Sequence, residues 1–282
     1  MKRFYLLLFS SLLPLSFSHA ETVIHPYNND ARSALALKIL KLALSKSAPN
    51  SITYESKSEV LTEDRMLSET IEGDLSVSWS GITPQYEEEL LPVHIPVFKG
   101  MLGHRIFIIK KGNQHLFDNI NSLEDLKKLK AGQGTTWGDT LVLKNADLPT
   151  VTTTKYANLF RMLEGDRFDY FPRALHEPWS EVAGLPELNL TVEKRILLVY
   201  PFAMYFLVAP DNQRLHDLIY QGFEAAVLDG SFDKLFYNDP GVRSALDNSN
   251  LAERIVFRMP NPNMGPKTPT DRPEFWLKLD EQ

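Results

Sequence analysis

The chain has 282 residues, 30 Lys or Arg against 36 Asp or Glu, a formal net charge of −6 and no cysteine. The lack of cysteine rules out disulfides, thiolate metal sites, cysteine catalysis and a lipidated cysteine at an export junction. The acidity is spread along the chain, and the basic runs Lys110-Lys111 and Lys127-Lys128 are too short to track a nucleic-acid backbone, so no nucleic-acid partner is expected.

At the start, Lys2 and Arg3 precede the apolar run Phe4–Leu15, broken only by Ser10, Ser11 and Pro14, and Ser18-His19-Ala20 is a small-x-small junction. This pattern reads as a secretory signal peptide cleaved near Ala20, because a membrane span needs ~20 apolar residues. A periplasmic protein is the expectation. Thr22–Ile24 then reads as a strand. Asp30 caps a helix to about Ser47, with Leu35, Ile39, Leu42 and Ala43 on one face. Ile52–Tyr54 is a strand, Thr62–Glu72 a helix, and Leu75–Ser78 a strand closed by a turn at Trp79-Ser80-Gly81. Glu87–Glu89 reads as a solvated loop face.

Arg105–Lys110 is the clearest strand, and Ser122-x-x-Asp125 opens a helix with a capping box. A Gly-rich turn at Gly132–Gly134 carries Thr135 and Thr136 into another helix. Thr150–Thr154 is β-rich, an amphipathic helix ends at Gly165, and the strand Phe168–Phe171 leads to Arg173. A helix near Leu175–Val182, strands at Ile196–Tyr200 and Met204–Val208, a helix from Asp211 to about Leu228 and another at Phe232–Tyr237 follow. The tail from Pro260, rich in Pro and Asn, is expected to wrap the surface. Alternating strands and helices imply an α/β architecture with mainly parallel sheets and right-handed crossovers.

The chemistry on offer is recognition. Free N–H groups and hydroxyls at the start of the helix after Thr135 and Thr136 suit an anion. Arg173 ends a strand where α/β sheets keep their ligand cleft, and its planar fork matches a carboxylate or phosphate. Each group also has a structural role open to it. Arg173 has Glu177 one helical turn on, Arg105 has acidic partners in the other part of the chain, and the threonines are ordinary caps. Trp79 and Trp137 suit a cleft wall or a core equally, and Ser80 and Thr83 suit a ligand or their own turn. The histidines form no metal-binding pair, no nucleophile elbow or phosphate-loop lysine is present, and no catalytic residue, metal or cofactor is expected.

Five segments carry a resemblance: EGDLSVSWSGITP, RIFIIKKG, SLEDLKKLKAGQGTTWGDT, FRMLEGDRFDYFP and MYFLVAPDNQRLHDLIYQGFEAAVLDGSFDKLF. Through them the chain resembles periplasmic solute-binding proteins, in particular the bacterial extracellular solute-binding family 3 that serves amino-acid uptake. The resemblance implies a type II fold of two lobes: residues 21–104 with 205–282, and residues 105–204. Arg105–Lys110 and Met204–Val208 would be the hinge strands of two crossovers, with closure on a small-molecule ligand and a membrane permease or membrane-bound sensor as partner. Tyr27 would be an aromatic wall, and the protein would be a monomer, since such binding proteins usually dock singly. Members of that family usually carry an Arg shortly after the threonine that is Thr83 here, yet Thr83–Glu89 has none. They usually carry an Asp near the place where Arg173 stands. These departures point away from an α-amino acid in the usual pose and toward an anionic or polar neutral ligand. The expected binding set is Tyr27, Trp79, Ser80, Thr83, Arg105, Thr135, Thr136, Trp137 and Arg173, with no catalysis. An exported hydrolase or lyase on a related scaffold is the alternative, since fold does not fix function.

Overall fold

The computed structural model describes residues 21–27, 30–49 and 52–278, so the export segment read at residues 1–20 lies outside the described residues. The first run of elements is β1 (Glu21–His25), α1 (Ala31–Ser47), β2 (Ile52–Ser56), α2 (Glu63–Ile71), β3 (Val77–Gly81), α3 (Pro84–Glu89) and β4 (Leu91–Val93). The second run is β5 (His104–Lys110), α4 (Leu123–Leu126), β6 (Ala131–Gly134), α5 (Gly138–Asn145), β7 (Thr150–Thr153), α6 (Tyr156–Glu164), β8 (Phe171–Ala174), α7 (Pro178–Ala183), β9 (Leu190–Val192) and β10 (Ile196–Val199). The chain then returns through β11 (Met204–Val208), α8 (Gln213–Leu228), α9 (Ser231–Asn238), α10 (Pro240–Ser249) and β12 (Ile255–Arg258).

These strands form two layers with one strand order. In the first, β2 pairs with β1 in parallel, and β3, β11 and β4 form a ladder with β11 antiparallel in the middle. The backbone N–H of Ser76 donates to Ile24 O at 2.9 Å and ties the two pieces together. In the second, β7 pairs with β6 in parallel, a bridge from Ala131 to Tyr170 sets β6 against the approach to β8, and β5, β10 and β12 follow. Here β5 is the antiparallel strand, and β9 also pairs with it. In both layers the reversed strand is the one that arrives from the other half. A strand reached by a crossover between halves enters against the direction of the βαβ units it joins, so its partners leave their C-terminal ends on one side.

The helices follow from local chemistry and from the core they cover. Asp30 accepts a hydrogen bond from the N–H of Ser33 at 2.9 Å and starts α1, whose Leu35, Ile39 and Ala43 are buried. That face lies on α8, where a Cβ at Gly222 would stand 1.9 Å from Ala43 O, so only glycine permits the approach. Thr83 Oγ1 accepts from the N–H of Tyr86 at 3.3 Å and caps α3, with Pro84 in the first turn.

Several expectations are corrected. β3 runs straight through Trp79-Ser80-Gly81, because pairing of these residues with Phe206, Tyr205 and Met204 outweighs the local turn signal. Gly132–Gly134 belongs to β6, and the helix after it opens at Gly138 with Trp137, not a threonine, at the N-cap. β8 is shifted toward Arg173, and Asn212 caps α8 in place of Asp211. α3, β4, β9, α10 and β12 had no clear signature. Ile255–Arg258, which the sequence reading assigned to the first lobe, pairs along β10 in the second layer. From there the chain crosses back: Asn261 Nδ2 donates to Pro201 O at 2.8 Å, Met264 packs near Ile82 and Leu90, and Phe275 and Leu277 enter the first core. The halves are thus linked by this passage as well as by the β4–β5 and β10–β11 connections.

Candidate functional site

The end of β3 and the start of α5 both lie against Phe202, in the β10–β11 connection. A Cβ at Gly81, the end of β3, would touch the Phe202 ring at 2.9 Å, and one at Gly138, the start of α5, would lie 3.7 Å from it. The first rim holds Tyr27, 44% exposed after β1, and Thr83 at its helix cap. Trp79 and Ser80 sit within β3 and are buried; Trp79 meets Phe206 edge-on at 6.4 Å inside the first core. The second rim holds Thr135 and Thr136, both exposed, then half-buried Trp137 and buried Arg173 and Arg105. The structure therefore brings Thr135, Thr136, Trp137, Arg105 and Arg173 to one rim, Tyr27 and Thr83 to the other, and leaves Trp79 in the packing between sheet and helices.

Arg173 is held by carboxylates of its own half through Nε and Nη2. Its Nε donates to Glu181 Oε2 at 2.8 Å and its Nη2 to Glu181 Oε1 at 2.6 Å, a bidentate fork. The same Nη2 lies 3.0 Å from Glu177 Oε1. The guanidinium carbon stands 4.8 Å from the Phe171 ring centroid, 5.3 Å from Trp137 and 5.5 Å from Tyr156. Tyr156 Oη donates to Glu181 Oε1 at 2.6 Å, closing the ring of contacts. Burial works against the charge of Arg173, but Glu177 and Glu181 outweigh it and hold the guanidinium protonated more firmly than usual. Burial alone would push Glu177 up; Arg173, His176 and Arg105 outweigh that and hold its carboxyl below the ordinary range.

Arg105 forms a second buried set. Its Nη2 meets Asp139 Oδ1 at 2.5 Å, Tyr200 Oη donates to the same oxygen at 2.5 Å, and the guanidinium lies 5.7 Å from the rings of Tyr200 and Phe202. Glu177 Oε2 stands 4.0 Å from Arg105 Nη1 and accepts the N–H of Ala174 at 2.7 Å, so it couples the two sets. Desolvation opposes the charge of Arg105, yet Asp139 and Glu177 raise its hold on the proton. Its neighbour His104 is buried, and burial pushes its imidazole down to about 4. Asp139, Tyr156, Glu181 and Tyr200 are not among the residues expected at the site from sequence. Glu177 and Glu181 stand four residues apart in sequence after the arginine, a spacing that was legible; the Asp139 contact depends on how α5 lies over the sheet and was not.

Away from these rims, a cavity of about 460 Å³ opens between α7, β9 and the end of α10, lined in part by Trp179, Val182, Thr191, Lys194, Asn248 and Arg254. The Arg254 fork there is spent on Ser249 O, Ile196 O and Glu193.

No family model matches the chain, and no curated protein matches it. Solved structures do. The chain is similar to the probable amino-acid ABC transporter extracellular-binding protein ytmK of Bacillus subtilis, at 17% identity over 79% of this chain and 98% of that one, with a TM-score of 0.57. It is similar to an ancestral arginine-binding protein bound to arginine, at 19% identity over 79% and 100% of the two chains and a TM-score of 0.53. It is also similar to the substrate-binding protein AbpA of Streptococcus pneumoniae bound to L-arginine, at 13% identity over 79% and 95%, TM-score 0.52. The fold is the type II fold of periplasmic binding proteins, as the resemblance implied. No helix among the described residues is long and apolar enough to cross a membrane.

Proposed function

We propose that the chain is an exported solute-binding protein that captures a small polar ligand between two lobes and presents it to a membrane transporter or sensor. Residues 21–104 with 205–282 would form lobe one and 105–204 lobe two, with Ile255–Arg258 contributing a strand to the second layer. The observation that supports this reading is that the end of β3 at Gly81 and the start of α5 at Gly138 both lie against Phe202, at strand ends where open α/β sheets hold ligands. Exposed Tyr27, Thr135 and Thr136 and half-buried Trp137 supply stacking surface and hydroxyls there. The anionic ligand suggested by Arg105 and Arg173 loses support, because Asp139, Glu177 and Glu181 already neutralise both guanidiniums, although Arg105 Nε is buried without a hydrogen-bond partner. A polar ligand held mainly by hydroxyls and ring faces fits better.

Melting temperatures of residues 21–282 against amino acids, di- and tricarboxylates, phosphorylated metabolites, sugars and polyamines test this. A ligand binding only the folded state stabilises it by about 2.7 kcal/mol at a hundredfold excess over its dissociation constant. Shifts with neutral or zwitterionic solutes are expected. Shifts confined to anions would restore the anionic reading, and no shift with any class would overturn the solute-binding reading.

A further inference from the structure

We infer that the pocket around Arg173 is a guanidinium-binding site whose occupant is the protein's own side chain. The lining is what a free alkylguanidinium would require. Phe171, Trp137 and Tyr156 present rings with centroids 4.8, 5.3 and 5.5 Å from the guanidinium carbon. Such contacts favour a delocalised cation that is weakly hydrated. Glu181 supplies a two-point carboxylate and Glu177 a further oxygen at 3.0 Å. Tyr156 is 45% exposed, while Arg173 itself is 7% exposed. The pocket lies at the C-terminal ends of β6 and β8 and the start of α6, on the rim assigned to ligand capture.

The occupancy of the pocket stands apart from the solute-binding reading; the role of Arg173 in excluding solutes rests on that reading. A tethered side chain competes with free solutes at an effective concentration that reaches millimolar for short tethers. Arg173 thus shuts alkylguanidinium and alkylammonium groups out of the second rim at micromolar concentration, and acts as a specificity-determining residue. Withdrawing its side chain leaves a cage with two carboxylates and three rings, selective for a planar cation over a compact one.

Chemical rescue tests the inference. Arg173→Ala should melt below the parent chain, and millimolar ethylguanidinium should recover at least half of that loss. Ethylammonium should recover less, urea nothing, and ethylguanidinium should not raise the midpoint of the parent chain. The rescue should vanish in the Arg173→Ala, Glu181→Gln double variant. If Arg173→Ala does not fold alone, refolding with ethylguanidinium must yield soluble chain with native circular dichroism, and Arg173→Met repeats the melting test with the side-chain volume kept. Failure of ethylguanidinium to rescue either variant overturns the inference, as does equal stabilisation of the parent chain. The library screen on the parent chain reads the solute-binding proposal separately.

Discussion

The two layers share a strand order and a single reversed strand, yet their rims differ sharply in chemistry. The first rim is uncharged where it was read: Thr83 is spent on a helix cap, Ser80 and Trp79 lie inside the sheet packing, and Tyr27 stands exposed. The second rim carries Arg105 and Arg173 buried against Asp139, Glu177 and Glu181, with tyrosines bonded to two of those carboxylates. One topology therefore supports a rim held by packing and a rim held by buried charge. Topology fixes where a ligand meets the molecule, and side chains alone decide what it meets.

The strongest way to break the comparison is to remove one charge from the second rim. Glu181→Ala leaves Arg173 buried with Glu177 as its remaining carboxylate in the set. Breaking a buried pair costs about 3–5 kcal/mol, because the orphaned charge stays desolvated. Urea unfolding should show a loss in that range with the slope unchanged. A loss below about 1 kcal/mol, the value for an exposed pair, would mean that water reaches the fork and that the rims are alike.

That contrast also marks what the sequence could disclose. Strands with strong periodicity or β-branched runs, such as Arg105–Lys110 and Met204–Val208, were legible within a residue. So were helices with a side-chain cap, at Asp30, Thr62 and Ser122. Misreadings gathered where a partner strand overrides local chemistry. Ser80-Gly81 is turn-like alone but is held extended by Met204 and Tyr205, and β12 is a strand only because the edge of β10 receives it. At the site, Arg105 and Arg173 were recognised as unusual and Glu177 as a partner open to Arg173, but Asp139 and Glu181 were not. A guanidinium's availability depends on which carboxylates the fold delivers to it, and Asp139 lies 34 positions from Arg105 in the numbering.

A second, smaller effect concerns pH and the start of β5. His104 is buried, its Nδ1 lies 3.1 Å from Gly100 O, and burial lowers its pKa to about 4, with Arg258 and Arg105 acting in the same direction. An unfolded histidine titrates near ~6.5. Between those values the unfolded chain binds the proton and the folded chain does not, so stability is full above about pH 6.5 and falls as pH drops toward 4. The difference corresponds to roughly 3 kcal/mol at the acid end, at about 1.4 kcal/mol per unit. The midpoint should decline between pH 6.5 and 4.5, and His104→Gln should flatten that slope. Glu177, held below the ordinary carboxylate range, adds its loss only under about pH 4.5, so the two windows separate. An unchanged slope in the variant would place the acid sensitivity elsewhere.

The smallest effects sharpen the comparison most, because they separate capping from recognition. Thr83 Oγ1 holds the N–H of Tyr86, so Thr83→Ala should cost about 1 kcal/mol of stability, the usual loss for an N-cap threonine. Thr135 and Thr136 are exposed and neither caps α5, whose N-cap is Trp137 without a side-chain bond. Their alanine variants should stay within about 0.5 kcal/mol of the parent, as surface substitutions do. With any solute that raises the melting midpoint of the parent chain, the order should reverse. Thr83→Ala should keep the ligand-induced shift, while Thr135→Ala or Thr136→Ala should reduce it, since a lost ligand hydrogen bond weakens binding by about 0.5–1.5 kcal/mol. The opposite pattern, a ligand shift lost with Thr83 and kept without either second-rim hydroxyl, would move recognition to the uncharged rim. The charged rim would then serve to stabilise the fold, and its proximity to the ligand would be incidental.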